Sequence, residues 1–210
     1  MPVSPETLAA FAAASMILLV IPGPTIIMVI SQALAYGRGV AFFSVLGVGL
    51  GDLAAATLSV IGVGTILAAS SALFMAIKWI GAAYLIWIGV KLWRAPVEGV
   101  DVPAVLQRRA EGWALFRDSF LVTLFNPKGI VFFIAFVPQF IDHGAPFAPQ
   151  AAVLVATFVI LGVFNAYGYV LLASSARHAM RSPVVLRRLT RTGALFLISA
   201  AVASVLVRRA

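Results

Sequence analysis

Long apolar segments separated by short polar interruptions make up most of the chain. Six of these segments are candidates to cross the hydrocarbon core of a bilayer, which takes about 20 apolar residues in a helix, and the last of them is short. They lie near residues 6–35, 40–64, 67–92, 114–141, 148–175 and 192–207. The longest polar stretch, residues 94–112, separates the first three from the last three. The pattern predicts an all-α polytopic membrane protein with a three-helix unit at 1–93, a connecting loop at 94–112 and a second three-helix unit at 113–210.

Composition agrees with a membrane location. Of the 210 residues, 62% are hydrophobic and 10% are charged, whereas a soluble domain has about 45–50% apolar and about 25% charged residues. Such a chain could not cover a water-facing surface. It also has no cysteine, which excludes disulfides, thiol catalysis and thiolate metal sites.

The formal net charge is +8, and the positions of the basic residues account for most of it. The loops after the first, third and fifth segments hold eleven Lys and Arg residues, whereas those after the second and fourth hold none. Because basic loops stay cytoplasmic, we expect both termini outside, in a bacterial inner membrane, and no nucleic-acid partner. Binding of lipid head groups by residues 177–191 is an alternative role for part of this charge.

Two proline motifs interrupt the first and fourth apolar segments. The first is "IPGP", with Pro22, Gly23 and Pro24, and the second is "NPKG", with Pro127. Proline removes a backbone donor and breaks a helix, and non-helical backbone at membrane depth persists only inside protein or beside a water-filled cavity. The motifs are either packing kinks or two facing helix breaks whose amides and carbonyls hold a solute. Their corresponding positions favour the second interpretation.

The two halves show a weak internal repeat. "GLGD" (49–52) in the second segment corresponds to "GVFN" (162–165) in the fifth, and "GAAYLIWIG" (81–89) corresponds to "GALFLISAA" (193–201). Asp52 precedes its repeat glycine by 29 residues and Asn165 precedes its own by 28. Because each half has an odd number of spans, the halves run in opposite senses. This predicts two inverted three-helix repeats, with the broken helices one and four meeting near mid-depth.

Asp52 falls near the middle of the second segment, where a carboxylate costs about 2.5–3.5 kcal/mol on insertion scales. One interpretation is a coupling or substrate-contact residue that takes up and releases a proton. The other is a static ion pair with Lys78 or Lys128. A carboxylate that pairs with a lysine in one state and binds a proton in another is consistent with both interpretations. The glycines of "GVGLGD" (47–52) are expected to let a neighbouring helix approach closely.

Three further polar residues lie inside the apolar segments. Lys128 adjoins the second break, where it could meet Asp52 or a substrate carboxylate. Asn126 could satisfy backbone amides beside Pro127, and Lys78 is close enough to the outer face to snorkel. The spans contain one acidic residue, Asp52, and two basic residues, Lys78 and Lys128. A dibasic substrate would need more carboxylates, so this balance favours a neutral, zwitterionic amino acid.

Four segments together resemble the LysE/RhtB family of amino-acid exporters: "IPGP" (21–24), "GVGLGD" (47–52), "KWIGAAYLIWIGVKLWR" (78–94) and "NPKGIVFFIAFVPQF" (126–140). The resemblance implies six helices and export of an amino acid such as homoserine, threonine or leucine, driven by the proton gradient without ATP hydrolysis or a cofactor. By motif, it implies a functional set of Pro22, Gly23, Pro24, Asp52, Asn126, Pro127 and Lys128.

Other classes of function are less well supported. The chain has no HExxH, GxSxG or Walker motif, so an enzyme is not expected. A membrane scaffold that binds partners through its basic loops is the main alternative. A cation or metal exporter is disfavoured because the spans hold few His, Asp and Glu. The expected partners are a small amino acid, protons and the lipid bilayer. The sequence leaves open whether the protein forms a homo-oligomer.

Overall fold

The computed structural model describes residues 2–69, 112–142 and 144–175 continuously, with scattered helical positions between 76 and 94 and between 184 and 202. Lys78 lies outside the described residues, as do most of the third and sixth predicted spans and of the 94–112 loop. The six-span arrangement and the division into two repeats therefore stay predictions.

The continuously described segments are helical and contain no strand. The helices are α1 (Pro5–Val20), α2 (Pro24–Ala69), α3 (Gly112–Leu124), α4 (Pro127–Ala135) and α5 (Phe147–Ser175), with a 3₁₀ turn at Val137–Phe140. The all-α prediction is confirmed for these segments. The breaks predicted at the two proline motifs are also present, between α1 and α2 and between α3 and α4.

Gly37 divides α2 into two helical parts, residues 24–36 (α2a) and 38–69 (α2b). Its backbone has φ 78° and ψ 168°, which is not helical. Glycine adopts such positive φ angles without the steric cost that a side chain brings. The division falls at the short connection expected between the first two segments.

Two of the described helices are long and apolar enough to cross a membrane, at Pro24–Gly62 and Phe147–Ser175. A third candidate is the pair Gly112–Leu124 and Pro127–Phe140, which is bent by 43° at the second break. The shorter α1 is also apolar. Large apolar side chains such as Leu58, Trp113 and Phe164 are more than 60% exposed, as expected for surfaces that face lipid.

Small residues let the helices pack closely around α2b. A side chain at Gly47 or Gly51 would collide with backbone atoms of α3, and one at Gly49 would collide with Val163 of α5. The close approach predicted for "GVGLGD" is confirmed, and it involves two neighbouring helices rather than one. These contacts bring α3 and α5 to either side of Asp52.

Candidate functional site

The first helix break frees a set of main-chain carbonyls at the end of α1. In a continuous helix, the carbonyls of Leu18 and Val20 would accept hydrogen bonds from residues 22 and 24. Both of these are prolines and have no N–H to donate. Ile21 is extended (φ −70°, ψ 116°), and a new helix begins at Pro24. We call the oxygens of residues 18–21 the break carbonyls.

The ammonium group of Lys128 binds two of the break carbonyls. Its Nζ donates to the carbonyl oxygens of Leu18 and Ile21, at 3.0 Å each. Gly23 lies alongside, and a Cβ atom at that position would be 3.5 Å from Nζ. Lys128 belongs to the second break, so its side chain joins the two interrupted helices directly.

Two side chains of α5 bind the remaining break carbonyls. Asn165 Nδ2 donates to the carbonyl of Leu19 at 3.0 Å, and Tyr169 Oη donates to the carbonyl of Val20 at 2.7 Å. Asn165 and Tyr169 are both buried. All four break carbonyls therefore have a side-chain partner, as buried backbone acceptors require.

Asn126 organises the second break and also reaches the first. As the N-cap of α4, its side-chain oxygen accepts from the backbone N–H of Lys128 at 3.1 Å. Its Nδ2 donates to Thr25 Oγ1 at 3.1 Å, in the first turn after Pro24. The capping role expected for Asn126 is confirmed, and the contact with Thr25 shows that the two breaks touch.

A line of buried polar side chains continues from the breaks between α2a, α2b and α3. Thr123 Oγ1 donates to Thr25 Oγ1 at 3.4 Å. Further along, Gln32 Oε1 accepts from Ser119 Oγ at 3.2 Å and from Ser44 Oγ. We call these five residues the polar seam.

Asp52 lies beside this arrangement, against the backbone of α5. A Cβ atom at Gly162 would lie 2.6 Å from Asp52 Oδ2, so glycine at 162 leaves room for the carboxylate in its present position. Asp52 and Lys128 attract each other electrostatically. Within the described segments they do not form a salt bridge, so the static pair with Lys128 is absent here; a pair with Lys78 lies outside the described residues.

Comparison with known proteins identifies the family. The sequence matches the model of the LysE type translocator family over residues 16–208. The chain belongs to this family. It is 36% identical over 179 residues to an uncharacterized membrane protein of Vibrio cholerae, covering 84% of this chain and 85% of the relative. It is 32% identical over 190 residues to the homoserine/homoserine lactone efflux protein of Salmonella typhi, covering 90% and 91%. No solved structure matches.

Membership of the LysE-type translocators confirms the resemblance drawn from the sequence motifs. It indicates a multi-pass membrane protein and a transporter rather than an enzyme. Three of the four segments that carried the resemblance are, in the structure, the two breaks and the helix that holds Asp52; most of the fourth, 78–94, lies outside the described residues.

Most of the residues singled out from the sequence of this LysE-type translocator lie together. Asn126, Lys128 and Asn165 converge on the first break, formed by Pro22, Gly23 and Pro24, and Pro127 begins α4 at the second. Asp52 is beside them, and the position of Lys78 is not described.

Sequence reasoning missed Tyr169 and the polar seam. Tyr169 follows Asn165 by four residues and therefore lies on the same helix face. That spacing was the signal that could have identified it as a second residue of the site. Ser119 and Thr123 are likewise four residues apart, and both donate to residues of α2a. Gln32 lies near the end of the first apolar segment, where a polar residue is common, yet it is buried with two hydroxyl donors.

Proposed function

We propose that the protein is a secondary exporter of neutral, zwitterionic amino acids such as homoserine, driven by protons returning across the bacterial inner membrane. The observation that carries this proposal is the contact between the two helix breaks. The Lys128 ammonium of the second break binds carbonyls of the first. Interrupted helices that meet inside a membrane bundle are the usual place where transporters bind their substrates.

The proposed architecture is six helices in two inverted repeats. Its support is a reciprocal pattern of contacts between the two halves. Asn165 in the second half binds the first break, while its counterpart Asp52 in the first half attracts Lys128 at the second break. The polar residue of each half thus acts on a group of the opposite half, Asn165 by a hydrogen bond and Asp52 by electrostatic attraction, as an inverted repeat predicts.

We assign Asp52 the role of the coupling residue. A carboxylate at this depth is costly, and glycine at position 162 leaves space for it where it now lies. Asp52 has no salt-bridge partner among the described residues, so its charge is available to a proton or to the nearby Lys128. Alternation between these two partners would link proton entry to substrate movement.

The proposed substrate class follows from the charges at the site and from the relatives. Asp52 and Lys128 supply one carboxylate and one ammonium, so the site has no excess of negative charge, which favours a zwitterion over a dibasic amino acid. The 32% identical Salmonella typhi relative is named for homoserine and homoserine lactone efflux. We therefore take homoserine as the first substrate to test.

The test compares amino-acid pools inside and outside cells that express the protein or its Asp52→Asn variant at equal membrane levels. The wild-type protein should raise the external concentration of one or a few neutral amino acids, homoserine among them. Asp52→Asn keeps the side-chain shape but cannot carry a proton, and it should export at least about tenfold less, a change of 1.4 kcal/mol in the barrier. Equal export by both proteins would remove the coupling role.

A paired substitution separates transport from the scaffold alternative. An exporter should lose function in Pro22→Ala, which lets α1 continue and withdraws a carbonyl from Lys128, and should tolerate Arg108→Ala with Arg109→Ala. A scaffold that acts through its basic loops predicts the reverse. For a metal exporter, the described residues offer no cluster of three or more His, Asp or Glu side chains that could hold the ion.

A further inference from the structure

The break carbonyls sit at the C-terminal end of α1, where the helix dipole places partial negative charge. Lys128 occupies this position with a primary ammonium group, making two hydrogen bonds of 3.0 Å to the oxygens of Leu18 and Ile21. An ammonium group is thus already bound to main-chain oxygens, and it is supplied by the protein itself.

We propose that the carbonyls of Leu18 and Ile21 form a binding site for a primary ammonium group. Lys128 fills this site in the present conformation, and the α-ammonium of the exported amino acid takes it when Lys128 moves to Asp52. This inference rests on the proposed export function and deepens it, because it assigns the substrate's cationic end to main-chain oxygens rather than to a carboxylate.

Three features allow Lys128 to leave the site. Lysine carries its ammonium on a flexible four-carbon stem with three donors, and two of these donors are the ones that bind the break carbonyls. Gly23 places no side chain beside Nζ, where a Cβ atom would be in ordinary contact at 3.5 Å. Asp52 offers an alternative partner, because it attracts Lys128 without being bound to it.

The geometry suits an ammonium group better than a bare metal ion. Lys128 Nζ lies at an ordinary N–H···O distance of 3.0 Å from both oxygens. Asn165 and Tyr169 hold the other two break carbonyls, so only the oxygens of Leu18 and Ile21 lose a side-chain donor when Lys128 departs, and that of Leu18 still accepts from the N–H of Ile21. Two converging acceptors provide hydrogen bonds for an –NH₃⁺ group but are too few to replace a metal's ligands.

The test uses the purified Lys128→Ala protein and ethylammonium chloride as the probe. Thermal unfolding is followed in ethylammonium chloride, sodium chloride and tetramethylammonium chloride at equal concentration. The variant should unfold at a lower temperature than wild type, and ethylammonium should raise its midpoint by about 3 °C or more above the other two salts. Tetramethylammonium carries the same charge but cannot donate a hydrogen bond. Identical midpoints in the three salts would overturn the proposal.

Tyr169→Phe is the matched control. It removes one side-chain partner from the same break but leaves Lys128 in place on its two carbonyls. It should be destabilised without any response specific to ethylammonium. A response equal to that of Lys128→Ala would mean that ethylammonium binds elsewhere, which contradicts the assignment.

Lys128→Arg provides a second, independent test should Lys128→Ala fail to fold. A guanidinium retains the positive charge and can still cap the carbonyls, but its rigid planar fork cannot exchange as a compact ammonium does. We expect a folded protein whose homoserine export falls at least tenfold. Export at the wild-type rate would show that Lys128 need not be exchanged.

These readouts separate failure of the site from failure of the proposed function. Ethylammonium binding by Lys128→Ala requires no transport. If wild type exports no amino acid but the variant responds to ethylammonium, the export function is wrong and the site stands. If wild type exports but the variant shows no response, the export function stands and the site is wrong.

Discussion

Replacing Gly162 by alanine tests whether the position of the Asp52 carboxylate matters. The added Cβ would lie 2.6 Å from Asp52 Oδ2 and 3.7 Å from Leu19 Cδ2. Only the first distance is too short, and ordinary contact begins near 3.4 Å. The carboxylate therefore has to move by about 0.8 Å. Because the atom that moves is the end of a side chain, the helices should keep their packing.

The expected result is a loss of export without loss of fold. Misplacing a functional group by about 1 Å costs up to about 100-fold in rate, so we expect export to fall about 10- to 100-fold, or about 1.4–2.7 kcal/mol. Alanine favours the helix over glycine by about 0.5–1 kcal/mol, which offsets the cost of moving Asp52. The free energy of unfolding should stay within about 1 kcal/mol of wild type.

Gly168→Ala is the matched control on the same helix, since a Cβ atom there meets nothing within 4 Å. It should export as wild type does and gain about 0.5–1 kcal/mol of stability. The assay is efflux of labelled homoserine from proteoliposomes with an imposed pH gradient, normalised to folded protein. Wild-type efflux by Gly162→Ala would refute the role given to the Asp52 carboxylate. Unfolding of Gly162→Ala alone would refute the premise that Asp52 absorbs the contact.

The remaining predictions concern stability, measured by reversible denaturant unfolding in detergent. Tyr169→Phe leaves the carbonyl of Val20 without its side-chain donor and should cost about 1–3 kcal/mol, and an unchanged midpoint would show that the hydrogen bond contributes nothing. Asn126→Ala removes the N-cap of α4 and should cost about 0.5–2 kcal/mol of stability, whereas Asn126→Asp should retain most of the capping contribution. Gly37→Ala should lower the free energy of unfolding by about 1–2 kcal/mol because the backbone at position 37 has a positive φ. Gly39→Ala is its control, since Gly39 also has open space around it, and should not destabilise the protein. Equal effects of the two substitutions would contradict the backbone explanation.

The chain's local chemistry made the helix breaks predictable. Pro22, Pro24 and Pro127 remove backbone donors wherever the chain folds, so their effect does not depend on distant contacts. The same holds for Asn126, which caps the helix that begins at the next residue. The glycines at 47, 49 and 51 also indicated where a neighbouring helix packs closely, because they carry no side chain.

The partners of the freed carbonyls could not be predicted in the same way. Lys128 binds main-chain oxygens more than a hundred residues away, and main-chain oxygens carry no sequence signature. The role of Gln32 depends on the rotation of α2a relative to two other helices, which place Ser44 and Ser119 against it. Asp52 was recognisable as an acid in an apolar segment, but its lack of a salt bridge with Lys128 follows only from the packing.

The most direct test of the central claim, that the two breaks meet at the proposed transport site, uses Thr25→Cys together with Thr123→Cys. Because alternating access moves one repeat against the other, a cross-link between the two should block export. The two hydroxyl oxygens are 3.4 Å apart, and the natural chain has no cysteine, so an engineered pair is unique. We predict that oxidation yields a linked peptide by mass spectrometry, that homoserine efflux from proteoliposomes falls at least tenfold, and that reduction restores it. Two cysteines that stay free under oxidation, or a linked protein that exports at the full rate, would contradict the account.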